Sequence, residues 1–564
     1  MEKVELWYHH PNLDPSLKQE LLSMTDKQKE DAFYTNITFG TAGMRGILGV
    51  GVNRMNIHTL RKANMGFAQY IVSNGSEACT QGIVIGYDNR HQSYTFALDC
   101  ARLLVSQGIK AYIFESLRPT PELSFAVRHL KCFGGIMITA SHNPKEYNGY
   151  KLYDAEGCQL VPRLADKVIE NVNKIQDELA IEVNLTEEQE KQILWIGKEI
   201  DELYYEEVLR VQLNPQVRKN IKVVFSAQHG TSAVPIRELF KRAGIDVSFV
   251  ENQCTPDPDF SNTITPNPED PAAYIAAIAL AKEVQADLIL VCDPDADRMG
   301  VAVLNGDEYQ LLTGNQSGAL VLEYILSQKR KQGILPKNGV VFNTVVTGDL
   351  GEKIAQSYQV DVEKTLTGFK FIGEKIAQYE MTKEKEYLFG YEESYGSLIA
   401  PFARDKDAQQ ACLLLAEMAC VAKEEGKTLS DVLNELYQQH GFYDESQFSI
   451  LLEGEDGAKK IQRILESLMI NPPKEIGNEE VVGWENYTIL KQMKQGVISN
   501  LVGFVSSDVM KYYLADGSWV AVRPSGTEPK CKFYFCVCGQ SQNAVQVKTN
   551  ELHQAMREKL ETIK

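Results

Sequence analysis

Asp293, Asp295 and Asp297 alternate in Asp293-Pro294-Asp295-Ala296-Asp297-Arg298, so in an extended segment their carboxylates face one side. Three like charges this close repel unless a cation neutralises them. All-oxygen ligation suits a hard ion, Mg2+ before Ca2+. An EF-hand does not fit, because its sixth position would be Arg298 instead of glycine and its twelfth Leu304 instead of glutamate. The residues just ahead, Asp287-Leu288-Ile289-Leu290-Val291-Cys292, read as a buried strand. The triplet therefore caps a strand, and metal binding is expected over a merely solvated acidic turn.

An apolar strand ending in Asp-x-Asp is also how haloacid-dehalogenase-type phosphatases present an aspartyl nucleophile, here Asp293. Those enzymes prefer a small hydroxyl or β-branched residue four places on, where this chain has Asp297. A third carboxylate serves a metal cage better than a nucleophile.

Ser141 is the second reactive candidate. Gly134-Gly135-Ile136-Met137-Ile138 reads as a short buried strand, and Asn143-Pro144 forces a turn. Ser141 should then sit on a tight loop at the C-terminal end of a strand, where open α/β sheets place their ligands. No Gly-x-Ser-x-Gly surrounds it, which argues against the nucleophile elbow of a hydrolase. Taken alone, it reads first as a polar turn. Three further stretches suit ligand contact. Phe39-Gly40-Thr41-Ala42-Gly43-Met44-Arg45-Gly46 is a glycine loop whose single charge is Arg45. Arg523-Pro524-Ser525-Gly526-Thr527 offers a guanidinium, two hydroxyls and an unobstructed amide, the parts of a phosphate cradle. Glu392 and Ser394 alternate at a strand end, where both could bond neighbouring hydroxyls.

The elements that must position these loops follow from the pattern. At 564 residues, a prior of one domain per ~150 residues gives about four. A helical pattern, polar enough to lie on the surface, runs from Asp14 to about Ala32. A helix with Ile57, Leu60, Phe67, Ala68 and Ile71 on one face follows, and strands and helices then alternate to Ser141. This is the rhythm of a mostly parallel, two-side-covered sheet. A charged, helical stretch from about Asp177 to Tyr205 leads into a second unit, and a third begins near Gln316. From about Gly441 the rhythm changes to strands with amphipathic helices. The expected domains are residues 1–205, 206–313, 314–440 and 441–564.

A net charge of −18 argues against a nucleic-acid partner; a small anion remains possible where cations are concentrated locally. No apolar run approaches the ~20 residues of a membrane helix, and the N-terminus lacks signal-peptide character, so a cytoplasmic location is expected. The eleven cysteines mostly lie in apolar segments and read as core. Cys536 and Cys538 lack Cys-x-x-Cys spacing.

Together these loops resemble one family, the α-D-phosphohexomutases, which include phosphoglucomutases and phosphomannomutases. Thr139-Ala140-Ser141-His142-Asn143-Pro144 resembles its phosphoserine loop and Asp293 to Arg298 its metal loop. Glu392-Glu393-Ser394 resembles its sugar loop, and Arg523 to Thr527 its phosphate loop. The motifs stand in the family's order and, counting Arg45, span nearly the whole chain. The resemblance implies four domains around a central cleft: three related α/β units with mostly parallel mixed sheets and a smaller α+β C-terminal domain.

It also implies a phosphoserine at Ser141 and Mg2+ held by Asp293, Asp295, Asp297 and the serine's phosphate. Arg298 and Arg45 would assist electrostatically. Lys151, favoured over His142, would be the general base. Arg523, Ser525, Gly526 and Thr527 would hold the non-reacting phosphate, and Thr367, Gly368, Glu392, Ser394 and Lys406 the sugar. The Gly-x-Glu-Glu-Ser pattern at 390–394 is similar to glucose-directed members. The expected reaction interconverts α-D-glucose 1-phosphate and 6-phosphate through glucose 1,6-bisphosphate. Mannose- and pentose-phosphate specificity stay open, as does a silent sugar-phosphate-binding protein. The expected partners are small sugar phosphates, with no nucleic acid and no membrane, in a monomer or homodimer.

Overall fold

The computed structural model describes residues 2–40, 43–452, 454–524 and 530–563. Four sheets organise the chain. The first is seven-stranded, in the order Phe39–Gly40, Gly43–Ile47, Tyr147–Tyr153, Gly134–Ile138, Ile83–Tyr87, Ala111–Phe114, Ile193–Ile196. Its last four strands are parallel, and the Tyr147–Tyr153 strand adds antiparallel. The second repeats that plan with five strands: Asp246–Phe249, Lys222–Ser226 and Leu288–Cys292 run parallel, then Met299–Asn305 and Glu308–Leu312 antiparallel. The third has Asp361–Thr365, Gly339–Thr344 and Glu386–Tyr391 parallel, with the short antiparallel strand Ser397–Leu398 at its edge. The fourth is wholly antiparallel and carries helices Gly454–Ile470 and Gln542–Thr562.

The strands ahead of the serine and metal loops form because they are apolar on both faces. Every residue of Gly134–Ile138 and Leu288–Cys292 is buried, as the central strands of covered parallel sheets must be. Each strand therefore ends abruptly at the first polar residues, and those residues are the loops.

Several expectations need correction. The pattern from Asp14 to Ala32 is two helices, Pro15–Ser23 and Asp26–Phe33, separated at Met24-Thr25. Thr25 and Gln28 form a reciprocal capping box that starts the second helix afresh. Nor is this region merely surface: Trp7, Leu21, Ala32 and Phe33 form a small core of their own. The stretch from Asp177 to Tyr205 is not continuously helical. It contains the strand Ile193–Ile196 at the parallel edge of the first sheet, before helix Lys198–Leu209. Its charged flanks and the exposure of Leu194 and Trp195 mask an edge strand. All eleven cysteines are free, nine of them buried, which agrees with their reading as core residues. No helix among the described residues is long and apolar enough to cross a membrane.

Candidate active site

The loops that follow three of the sheets, together with Arg523 of the fourth, converge on one cleft. At its centre Ser141 Oγ donates to Asp293 Oδ2 at 2.6 Å, joining the first sheet's loop to the second's. Ser141 has φ +52°, a left-handed conformation that costs a non-glycine residue about 1–2 kcal/mol. Thr139 Oγ1 holds the Ser141 amide at 2.8 Å. His142 Nδ1 lies 3.2 Å from Ser141 Oγ. Burial first, then the charges of Arg298 and Arg45, depress the His142 pKa well below its usual value, so its ring is neutral.

The acidic triplet is not extended. It turns, with Ala296 at φ +56°, the Ala296 amide on the Asp293 carbonyl and the Asp293 amide on the Arg298 carbonyl. The turn still gathers one oxygen from each aspartate within 4.8 Å of the others, because it is wound around the first carboxylate. Asp293 Oδ1 accepts the amides of Asp297 and Arg298 at 3.1 and 3.0 Å. All three carboxylates are buried. Burial, then Asp295 and Asp297, push the Asp293 carboxyl well above the usual range. For Asp295 burial acts the same way, but Lys151, with Asp293 and Lys406 adding, holds the group low.

The donor set fits a hard cation. It is all oxygen and buried, and among the described residues Asp295 Oδ1 and Asp297 Oδ1 have no hydrogen-bond partner, Asp297 Oδ1 having only Arg298 Nε at 3.7 Å, a costly state unless something else meets them. Their other oxygens face lysines. Lys151 Nζ stands 2.8 Å from Asp295 Oδ2 and 3.6 Å from Asp297 Oδ2, while Lys406 Nζ stands 3.1 Å from Asp297 Oδ2 and 2.9 Å from Asp405 Oδ1. Burial disfavours both ammonium charges, but Asp295 and Asp297 hold Lys151, and Asp297 and Asp405 hold Lys406, above the ordinary lysine value.

Of the other anticipated residues, Arg45 donates to Asn143 Oδ1 at 2.7 Å, beside the serine loop. Arg298 Nη1 pairs with Glu269 Oε1 at 2.8 Å. Glu392 is buried and accepts the Gly368 amide at 2.8 Å. Thr367 Oγ1, next to it, is buried and has no hydrogen-bond partner among the described residues. The strand stops at Tyr391, so Glu392 and Ser394 lie in a turn instead of alternating along a strand. Gly396 closes that turn where a Cβ would stand 2.0 Å from Lys406 Cδ; the glycine lets Lys406 pass into the cleft. Arg523 is the penultimate residue of the strand Trp519–Pro524. Ser525, Gly526 and Thr527 lie outside the described residues.

Four further residues that stand beside these loops escaped the sequence reading. Arg90 is fully buried and donates to the carbonyls of Ser141, Asn143, Pro144 and Tyr147. Its guanidinium also lies over the Phe260 ring at 5.1 Å. Thr120 reaches from the first unit to the metal loop, its amide to the Asp295 carbonyl and its hydroxyl to Asp295 Oδ2 at 3.0 Å. Glu269 ties Arg298 to Gln447 of the last unit, at 3.1 Å. Lys370 is pushed down to about 8 by burial and by Arg523, with Glu392 opposing them. The Asp88-Asn89-Arg90 run after an apolar strand was the visible signal for Arg90; the others had none.

Sequence comparison decides the family. The phosphoglucomutase/phosphomannomutase models match in order: alpha/beta/alpha domain I at residues 36–179, domain II at 202–306, domain III at 313–440 and the C-terminal domain at 484–552. This chain belongs to the phosphoglucomutase/phosphomannomutase family. It is 37% identical over 518 residues to a phosphoglucomutase of Staphylococcus haemolyticus, covering 91% of this chain and 92% of that one. A Staphylococcus aureus phosphoglucomutase is also 37% identical, with 94% of each chain covered. The open form of a Paramecium phosphoglucomutase, parafusin, shares the fold at a TM-score of 0.66 and 19% identity, over 93% of this chain and 96% of that one. Family membership makes the chain an isomerase that works by phosphoryl transfer, and the haloacid-dehalogenase-type and silent-binder readings fall away.

Proposed function

We propose that the protein is a phosphoglucomutase, interconverting α-D-glucose 1-phosphate and glucose 6-phosphate through a phosphoserine at Ser141 and a glucose 1,6-bisphosphate intermediate. The observation that carries this is the Ser141 hydroxyl seated against Asp293 inside a buried, all-oxygen cation site. The names of the staphylococcal relatives support glucose as the sugar. In the first half-reaction the phosphorus–oxygen bond to Ser141 breaks, a bond from that phosphorus to the free sugar hydroxyl forms, and the hydroxyl's proton passes to a base while the departing serine oxygen is protonated. The bisphosphate then turns over and returns its other phosphate to Ser141. This second half-reaction is the reverse, a sugar–phosphate bond breaking as Ser141 takes the phosphoryl group and gives up its proton.

Mg2+, held by Asp293, Asp295 and Asp297 with an oxygen of the phosphoserine, would neutralise charge on the transferring group. Arg45 and Arg298 flank the serine loop as fixed cations. Lys151 is the proposed general base, a role it fills once its two carboxylate partners are engaged elsewhere. His142 is a second acceptor, neutral and beside Ser141 Oγ. Arg523, Ser525, Gly526 and Thr527 would hold the idle phosphate, while Thr367, Gly368, Glu392, Ser394 and Lys406 would bind the sugar. The proposed domains are residues 1–205, 206–313, 314–440 and 441–564, in a cytoplasmic monomer or homodimer.

The test is labelling with glucose 1,6-bisphosphate and Mg2+, followed by phosphopeptide mapping, with kcat/KM compared on glucose, mannose and ribose 1-phosphates. Acid-stable phosphate on Ser141 and a glucose preference are expected. A preference above roughly tenfold, about 1.4 kcal/mol, for mannose or ribose would move the assignment to phosphomannomutase or phosphopentomutase. Absence of label from Ser141 would defeat the covalent mechanism.

A further inference from the structure

In the first two sheets a long antiparallel strand lies beside the last parallel strand and carries the sheet onward. Tyr147–Tyr153 registers against four residues of Gly134–Ile138, and Met299–Asn305 against all five of Leu288–Cys292. In the third sheet the corresponding strand, Ser397–Leu398, pairs only Gly390 and Tyr391. The first half of Glu386–Tyr391 therefore has Gly339–Thr344 on one side and, among the described residues, no strand on the other. The chain that would have continued the edge is drawn off: Gln410 Oε1 takes the amides of Ile399 and Ala400 at 3.2 and 2.7 Å.

The vacated place is a cavity of about 600 Å3 between Tyr387-Leu388 and Ile399-Ala400-Pro401. That is room enough for a ligand of ordinary size. Ile325, Ile376 and Leu388 supply apolar walls. Lys329 and Lys383 stand on its rim with no ion pair among the described residues, and Lys329 is half-buried. The neighbouring Arg210 and Lys385 are held by their own carboxylates, and Glu380 is committed to Arg128 and Arg404. Among the described residues, Glu386 is the one acid left uncommitted there. A rim with spare positive charge is the opposite of a chain whose net charge is −18.

We propose that this groove is a docking site for an extended, acidic peptide segment of a partner protein, which adds to Glu386–Phe389 as the missing edge strand. Main-chain hydrogen bonds to the open edge supply affinity, the apolar walls take alternate side chains, and Lys329 and Lys383 select acidic sequence. The site lies outside the catalytic cleft and shares none of its residues. The competing account is that the lysines simply protect a bare edge against unwanted pairing, in which case nothing binds.

The probe is a fluorescein-labelled hexapeptide of alternating glutamate and valine, titrated with the full chain and read by anisotropy. Saturable binding is expected, weakened about tenfold or more by the double change Lys329→Glu and Lys383→Glu. Amide exchange at residues 386–389 should slow in the complex. The same peptide N-methylated at alternate amides, tested on the unaltered protein, should not bind. Lack of saturable binding at millimolar protein would overturn the proposal. So would equal binding of the N-methylated peptide, which would mark a small-anion pocket instead of strand addition.

Discussion

The hydroxyl of Ser141 and the carboxylate of Asp293 meet at 2.6 Å although 152 positions separate them in the chain. The contact joins two sheets, and it makes the state of the acidic triplet a direct determinant of the serine. Removal of metal by EDTA should therefore cost at least about a hundredfold in kcat, restored by Mg2+. At a hundredfold excess over its Kd, Mg2+ should also add about 2.7 kcal/mol to the stability of the parent protein. Asp293→Asn can keep the two amide bonds at Oδ1 while removing the charge, so its melting temperature should no longer respond to Mg2+. A variant that still responds would place the ion elsewhere.

Arg90 gives a second prediction. Its planar fork serves four carbonyls of the serine loop at once, a pattern an ammonium cannot reproduce. Arg90→Lys retains the charge beside Asp88, 3.3 Å away in the parent, and so isolates geometry from charge. The variant should lose about 1–3 kcal/mol of stability. It should also lose at least about tenfold in kcat with KM changed far less, because Ser141 is misplaced while the sugar and phosphate contacts remain. Unchanged kcat in a destabilised protein would reduce Arg90 to a structural role.

Lys511 offers a test by pH. It is 1% exposed, donates to the Val345 carbonyl at 2.9 Å and lies over the Trp519 ring at 3.8 Å, where the last unit meets the third. Burial, with Lys364 adding, pushes it down to about 8 from 10.5. A base depressed in the folded state is penalised wherever it is charged in both states, so its cost is full below about pH 8. The unfolded chain binds the extra proton between about pH 8 and 10.5, and stability attributable to Lys511 rises across that window. The gain is at most about 3 kcal/mol. Denaturant unfolding at pH 7.5 and 10 should show that rise in the parent and not in Lys511→Met, once other groups common to both are subtracted. Parallel pH profiles for the two proteins would refute a buried charge here.

The loops were legible because the residues on either side of them are extreme. Fully apolar strands end at Ile138 and Cys292, and the first polar side chains after them had to be functional or costly. Arg523 stood out for the same reason. The edge strand Ile193–Ile196 was not legible, since one of its long sides is open and the charged residues on either side of it read as a helix surface. Thr120 and Glu269 were invisible for a different reason. Each acts across a boundary between units, and nothing local in Arg118-Pro119-Thr120 or Pro268-Glu269 marks which distant loop it will meet. The alternation of the three aspartates predicted their convergence correctly but by the wrong geometry. A turn closed on Asp293 Oδ1 brings them together, where an extended strand was expected.

Two glycines separate backbone strain from crowding at the metal loop. Gly306 needs φ +63° but has open space where a methyl group would stand, whereas Gly230 lacks a positive φ and would set its Cβ 2.3 Å from Pro294 Cα and 2.3 Å from Pro294 O. Thr231 holds that same carbonyl through its amide at 2.8 Å and its hydroxyl at 3.0 Å. Gly306→Ala should therefore cost about 1 kcal/mol of stability and leave Mg2+ affinity alone. Gly230→Ala cannot be accommodated without moving Pro294, which lies between two of the aspartates. Its Mg2+ affinity should fall by about tenfold or more, as expected when the support of a ligand is disturbed. Calorimetric titration of both variants decides the matter: if Gly230→Ala binds Mg2+ as tightly as Gly306→Ala, the turn at 227–231 does not set the metal loop.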